Sequence, residues 1–117
     1  MHQWRSWPAL YSWRWHRPWA LAQKAVKTGY ADVNGLHHYE ITGKGDPLLL
    51  LHGGLGSINF YEPSRPALAK EHQVIAVDLQ GHGRTALGNR EISLVDQGAD
   101  MAALIKSLGY SQVDVMG

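Results

Sequence analysis

The sequence predicts an α/β protein: an opening antiparallel hairpin, then parallel strands with helices on the faces of the sheet. Two continuous apolar runs carry that expectation, "PLLLLH" (Pro47 to His52) and "QVIAVD" (Gln73 to Asp78). Both are too short for helices and lack the alternation of a half-solvated strand, so they suit strands buried on both faces. A helical pattern follows the second run and another apolar strand closes the chain. That β-α-β-α-β order implies a mainly parallel sheet between helical layers.

Taken in order, "GYADV", Asn34-Gly35 and "LHHYEIT" form a hairpin around the dipeptide favoured in type I′ turns. "GKGD" makes the next turn and leads into the first buried strand. A helix is expected after Ser57, with Pro63 and Pro66 making its middle irregular. After the second buried strand, "DLQGHGRTALGN" reads as a glycine-rich loop. Ser93 and Asp96 then give the S-x-x-D capping pattern, Leu94, Met101, Leu104, Ile105 and Leu108 recur at helical spacing, and Gly109 supplies the stop. Gly98 inside this helix costs about 1 kcal/mol against alanine, which suggests close packing there. The final strand is "QVDVM", Gln112 to Met116, running into a turn at Gly117.

One domain fits in 117 residues. The absence of cysteine excludes disulfides, thiolate nucleophiles and Cys-ligated metals, and a cytoplasmic setting is expected. The net charge of +1 hides an asymmetry. Residues 1–28 hold Arg5, Arg14, Arg17, Lys24 and Lys27 and no acid, whereas the remainder carries six basic and ten acidic residues. The mildly acidic remainder offers no phosphate-tracking surface, so no nucleic-acid partner is expected.

All five tryptophans fall within the first 19 residues, among Arg, His and Pro. Arg14, His16 and Arg17 interrupt the apolar stretch of roughly 7–15 residues that a secretory signal needs, and a span of about 20 apolar residues is likewise missing. Tryptophan with basic residues also suits a segment lying on a membrane surface. Because Pro8 and Pro18 break any long amphipathic helix, residues 1–28 are read instead as a disordered leader, with the folded domain at 29–117.

The stretch "LLLLHGGLGS" is the most informative. A buried strand ends at His52, and Gly53, Gly54 and Gly56 follow. Loops at the carboxyl ends of parallel strands form the functional edge of such sheets. Glycines there let a backbone N–H point at a ligand, where it can stabilise a developing oxyanion. A dinucleotide loop fails because the third glycine of G-x-G-x-x-G would be Asn59, and a phosphate loop fails for want of Gly-Lys-Ser/Thr. A plain strand-to-helix turn remains the competing reading.

In this order, "LLLLHGGLGS", "VIAVDLQGHGRT" and "GADMAALIKSLGYSQVDVMG" resemble the first half of an α/β-hydrolase, over roughly residues 29–117. The resemblance implies the N-terminal half of that fold. It implies an oxyanion-hole amide at Gly54, with Leu55 the less favoured donor. The pattern D-x-x-G-x-G-x-[ST] falls on Asp78, Gly81, Gly83 and Thr85, which would shape the loop beside the site together with His52, Gly53 and Gly56. The family's nucleophile elbow, G-x-S-x-G, would begin at Gly117. None of Ser6, Ser12, Ser57, Ser64, Ser93, Ser107 or Ser111 has the elbow's glycine flanks. The expectation is therefore a hydrolase of an ester, lactone or related carbonyl compound, present here without its triad and inactive alone, with the strand at 112–116 free to self-associate. The alternative is a receptor-type or degenerate half-domain that needs a complementing chain.

Neither cofactor nor metal is required by this reading. His37 and His38, adjacent on a strand, point to opposite faces and cannot share an ion. His52, Asp78 and His82 near neighbouring strand ends could hold a metal, but loop hydrogen bonding explains all three.

Overall fold

The structure is a computed structural model that describes residues 26–117; all but the last three residues of the expected leader lie outside them. Five strands form one mixed sheet in the order β1-β2-β4-β3-β5. β1 (Lys27–Asp32) and β2 (Leu36–Thr42) make the antiparallel hairpin, and β2 runs antiparallel to β4 (His72–Val77). β3 (Asp46–Leu51) is parallel to both β4 and β5 (Asp114–Met116). Lys27 and Thr28, counted with the leader on sequence grounds, are part of β1.

The central strands are buried on both faces, as continuous apolar runs require. Leu49, Ile75 and Val77 pack on one face with Met101, Leu104 and Ile105, whereas Leu48, Leu50, Val74 and Ala76 pack on the other with Ile58 and Tyr61. The period-2 alternation of β3 and β4 therefore feeds two separate cores. Each Leu, Ile, Val or Met side chain so buried contributes about 1.5–3 kcal/mol.

The first core is closed by α2 (Leu94–Ser107). The Ser93 side chain accepts from the Asp96 N–H at 3.2 Å, as the capping pattern predicts. The helix stops as the Tyr110 and Gly109 amides return to the Ile105 and Lys106 carbonyls. Two expectations fail on this helix. Leu94 is exposed rather than core-facing, because the buried stripe is Asp100, Met101, Leu104 and Ile105. Gly98 is not tightly packed either: a Cβ there would meet no atom within 4 Å.

Over the second core, the expected helix after Ser57 is broken. A single 3-10 turn, Ile58–Tyr61, is capped by Ser57, and a one-turn α1 (Arg65–Leu68) follows with Pro66 in its first turn. The region around Pro63 cannot continue the helix, because proline lacks the N–H and crowds the preceding turn. The hairpin also departs from a two-residue turn. Asp32 pairs with Leu36, leaving Val33, Asn34 and Gly35 as the loop, with Val33 turned into the core.

Candidate active site

β3 and β4 end side by side, so the loops that leave them, 52–57 and 78–93, meet at one edge of the sheet. His52 is buried at their junction. Its Nδ1 lies 2.8 Å from the Gly53 carbonyl, and its Nε2 accepts from the Leu79 N–H at 3.0 Å. Those partners assign the proton to Nδ1. His52 thereby ties the first loop to the second.

The Gly53 carbonyl accepts a second hydrogen bond, from the Gly56 N–H at 3.1 Å. Since the peptide is planar and trans, a carbonyl drawn toward His52 and Gly56 turns the Gly54 N–H the opposite way. Among the described residues that N–H has no hydrogen-bond partner, and Gly54 is exposed. Gly54 lines a groove together with Leu51, His52, Leu79 and Met101. Gly54 is outside any strand ladder, and a Cβ on it would stand in open space. Leu55 differs: its N–H donates to His82 Nε2 at 3.2 Å, and its backbone is held at φ +63°. A left-handed conformation costs a non-glycine residue about 1–2 kcal/mol. The Leu55 side chain is fully exposed, so no packing of that side chain offsets the cost.

Asp78 organises the second loop. Its carboxylate accepts from the Ile58 N–H (2.8 Å) and the Arg84 N–H (3.1 Å), and lies 3.2 Å from His38 Nδ1. Thr85 donates its hydroxyl to the Asp78 carbonyl at 2.7 Å and receives the His38 N–H at 2.9 Å. Gly83 sits against the Asp78 carboxylate with φ +52°, a place and a conformation that exclude a side chain. Gly81, at φ +76°, passes under Leu87 and Ile92.

A second buried carboxylate anchors the far end of the loop. Asp100 accepts from Asn34 Nδ2 at 2.9 Å and from both terminal nitrogens of Arg90, with His37 Nε2 at 3.7 Å. Burial alone would raise its pKa. The hydrogen bonds from Arg90 and Asn34, with the charges of Arg90 and His37, outweigh that and hold it below the ordinary value of 3.8. The Asp100 hydrogen bond in turn raises the pKa of Arg90. Tyr61 reaches the last residue of β3, donating to the Leu51 carbonyl at 2.7 Å, and burial raises its pKa.

The trio His52, Asp78 and His82 does not assemble as a metal site. The two rings lie 5.0 Å apart, but each Nε2 already accepts a backbone N–H, and Asp78 is turned toward Ile58, Arg84 and His38. Among the described residues, no three His, Cys, Asp or Glu side chains gather at one point. Sequence reasoning missed the parts played by His82, His38 and the Arg90–Asp100 pair. The D-x-x-G-x-G-x-T pattern marked the loop, but Leu55 comes to His82 from the 52–57 loop, His38 comes to Asp78 from β2 and Asp100 comes to Arg90 from α2, contacts that no local spacing signals.

The parallel β3/β4 pair and the two glycine loops meeting at the strand ends lie within residues 46–117, which match the family model of the alpha/beta hydrolase fold. The chain belongs to that family. It is 38% identical over 88 residues to a soluble epoxide hydrolase of Corynebacterium sp., covering 74% of this chain and 31% of that protein. It is 37% identical over 90 residues to the dihydrolipoyllysine-residue acetyltransferase component of an acetoin cleaving system from Pseudomonas putida, covering 74% of this chain and 24% of that protein. A solved epoxide hydrolase without ligand superposes with a TM-score of 0.75 at 34% identity, over 79% of this chain and 33% of that one. The chain thus spans about a third or less of the length of these relatives. Among the described residues no helix is long and apolar enough to cross a membrane.

Proposed function

We propose that the whole protein is a serine-type hydrolase acting on an ester, lactone or related carbonyl compound by acyl transfer. The observation that carries this reading is the unpaired Gly54 N–H at the carboxyl edge of β3, its peptide plane held by His52 and Gly56. A preorganised donor aimed where negative charge develops stabilises the tetrahedral intermediate without reorganising at the moment of reaction. The second donor and the Ser-His-acid triad would come from the G-x-S-x-G elbow and later segments, as the family resemblance implies. The 117 residues contain no such motif, so they are proposed to lack ester turnover on their own.

The test is p-nitrophenyl ester hydrolysis by the protein of the complete reading frame. Gly54→Pro deletes the donor and should lower kcat about 10²–10³-fold with circular dichroism unchanged. Gly54→Ala keeps the N–H and places its Cβ in open space, so it should stay within a few fold of wild type. Equal activity of folded Gly54→Pro and wild type would sink the oxyanion assignment.

A second reading, epoxide opening by a carboxylate nucleophile, is favoured by the likeness to the Corynebacterium protein and to the solved epoxide hydrolase. Turnover of styrene oxide without ester turnover would select it. Folded protein that turns over neither would select the binding or receptor role.

A further inference from the structure

We infer that His82 is a positioning residue that assigns the oxyanion role to Gly54 by occupying the neighbouring amide; this rests on the carbonyl-substrate reading above. Two consecutive peptide N–H groups, those of Gly54 and Leu55, leave the same tight turn. Among the described residues only the Gly54 N–H is free. The Leu55 N–H is engaged by His82 Nε2 at 3.2 Å, and the Leu55 side chain, fully exposed, does nothing to hold the turn.

His82 is itself held from behind. Its Nδ1 lies 2.9 Å from the Gln80 carbonyl, which assigns the proton to Nδ1 and leaves Nε2 as the acceptor that Leu55 uses. The Gln80 side chain is buried and fully engaged: its Nε2 donates to the Leu87 and Arg90 carbonyls at 2.9 and 2.7 Å, and its Oε1 accepts from Arg90 Nη2 at 3.0 Å. The tilted His52 ring, 5.0 Å away, fills the space beside it.

Each histidine therefore fixes one peptide plane of the turn. His52 fixes the Gly53–Gly54 plane through its carbonyl, and His82 fixes the Gly54–Leu55 plane through its amide. Gly54 lies between the two planes. A residue with glycine's freedom is held to one orientation only if both flanking planes are set. Without His82, the Leu55 N–H becomes a second, competing donor and the Gly54 N–H loses its aim.

The experiment compares wild type, His82→Phe and His82→Gln in the complete protein. Phenylalanine keeps a ring beside His52 and removes the acceptor, whereas glutamine restores an acceptor oxygen. His82→Phe should lower kcat for a p-nitrophenyl ester about 10- to 100-fold, the penalty for misplacing a catalytic group, while KM changes less than about twofold. His82→Gln should recover most of that loss. Amide hydrogen exchange supplies a readout free of catalysis: the Leu55 N–H should exchange at least about tenfold faster in His82→Phe, and its protection should return in His82→Gln. Unchanged Leu55 exchange, or wild-type kcat in folded His82→Phe, overturns the inference. Where His82→Phe does not fold, His82→Leu carries the same comparison. Absence of ester turnover in folded wild type would refute the proposed function instead, and the exchange measurement would still decide whether His82 holds the Leu55 amide.

Discussion

Replacing Gly83 with alanine puts two separate costs on the loop that carries His82. The first is conformational. Gly83 has φ +52°, where an L-residue pays about 1–2 kcal/mol for the approach of Cβ to the following carbonyl. The second is steric and falls on Asp78, because the new Cβ would collide with its carboxyl carbon and Oδ1. A free surface carboxylate would swing aside at little cost. Asp78 is 1% exposed and is held by the Ile58 and Arg84 amides and by His38, so moving it breaks a buried charge-assisted hydrogen bond worth about 1.5–3 kcal/mol. Together these predict a loss of about 2.5–5 kcal/mol. At about 4–8 °C per kcal/mol for a domain of this size, the midpoint of thermal unfolding should fall by at least about 10 °C.

The assay is urea and thermal unfolding followed by circular dichroism, with Gly88→Ala as the internal control. Gly88 has φ +68° but nothing within 4 Å of a Cβ, so it incurs only the first cost. The difference between the two variants then isolates the contact with Asp78. A denaturant slope that stays constant while the midpoint falls assigns the change to stability rather than to a more compact unfolded chain. If Gly83→Ala and Gly88→Ala agree within about 0.5 kcal/mol, the carboxylate is not pinned and the account of the loop fails.

Gly98→Ala should act in the opposite direction: the site is within α2, a Cβ there meets open space, and the helix gains about 1 kcal/mol. A lower midpoint would mean that something packs against Gly98 after all. Asp100 predicts a pH dependence. Its pKa is depressed in the folded state, so its contribution is fully present above the ordinary carboxylate value of 3.8 and is lost as pH falls through the lower, folded value. The unfolding free energy of wild type minus that of Asp100→Asn should therefore be flat from neutral pH to about pH 5 and shrink in more acidic solution. A difference that stays constant through pH 3–4 would contradict the depressed pKa.

The legible parts of this fold were those written in one-dimensional spacing. The runs at 47–52 and 73–78 became β3 and β4 within a residue, because strands buried on both faces need no partner's pattern to reveal them. Ser93 and Asp96 located the start of α2 because a cap is a local hydrogen bond. Periodicity misled at Leu94, where helical spacing continues one turn beyond the sheet that the helix covers. The segment after Ser57 read as a helix with a flaw, although a break at Pro63 in fact divides it into two single turns, the second carrying Pro66. At the site, glycine and histidine types marked both loops, yet nothing local says that the His82 acceptor meets Leu55, 27 residues away. Contacts between two loops depend on strand order, which the sequence leaves implicit.

The adjacent histidines of β2 show what that order adds. Alternation along a strand sends His37 and His38 to opposite faces, which rules out a shared ion. The same alternation lets one dipeptide serve two buried carboxylates. His38 meets Asp78, at the start of the 78–93 loop, while His37 approaches Asp100, whose partner Arg90 lies near the loop's end. The strand register brings this about: Tyr39 pairs with Val77, so the next position along each strand sets His38 beside Asp78, and the Asp78 N–H donates to the His38 carbonyl at 3.0 Å. The loop bearing His82 is thus anchored at both ends to one pair of side chains through opposite faces of the sheet. A loop fastened at two points beneath its tip keeps few conformations there, and the tip is where His82 receives the Leu55 amide. The stiffness of that tip is consequently built in part into β2, which meets the loop at Asp78 and Thr85 and, through Asp100, at Arg90.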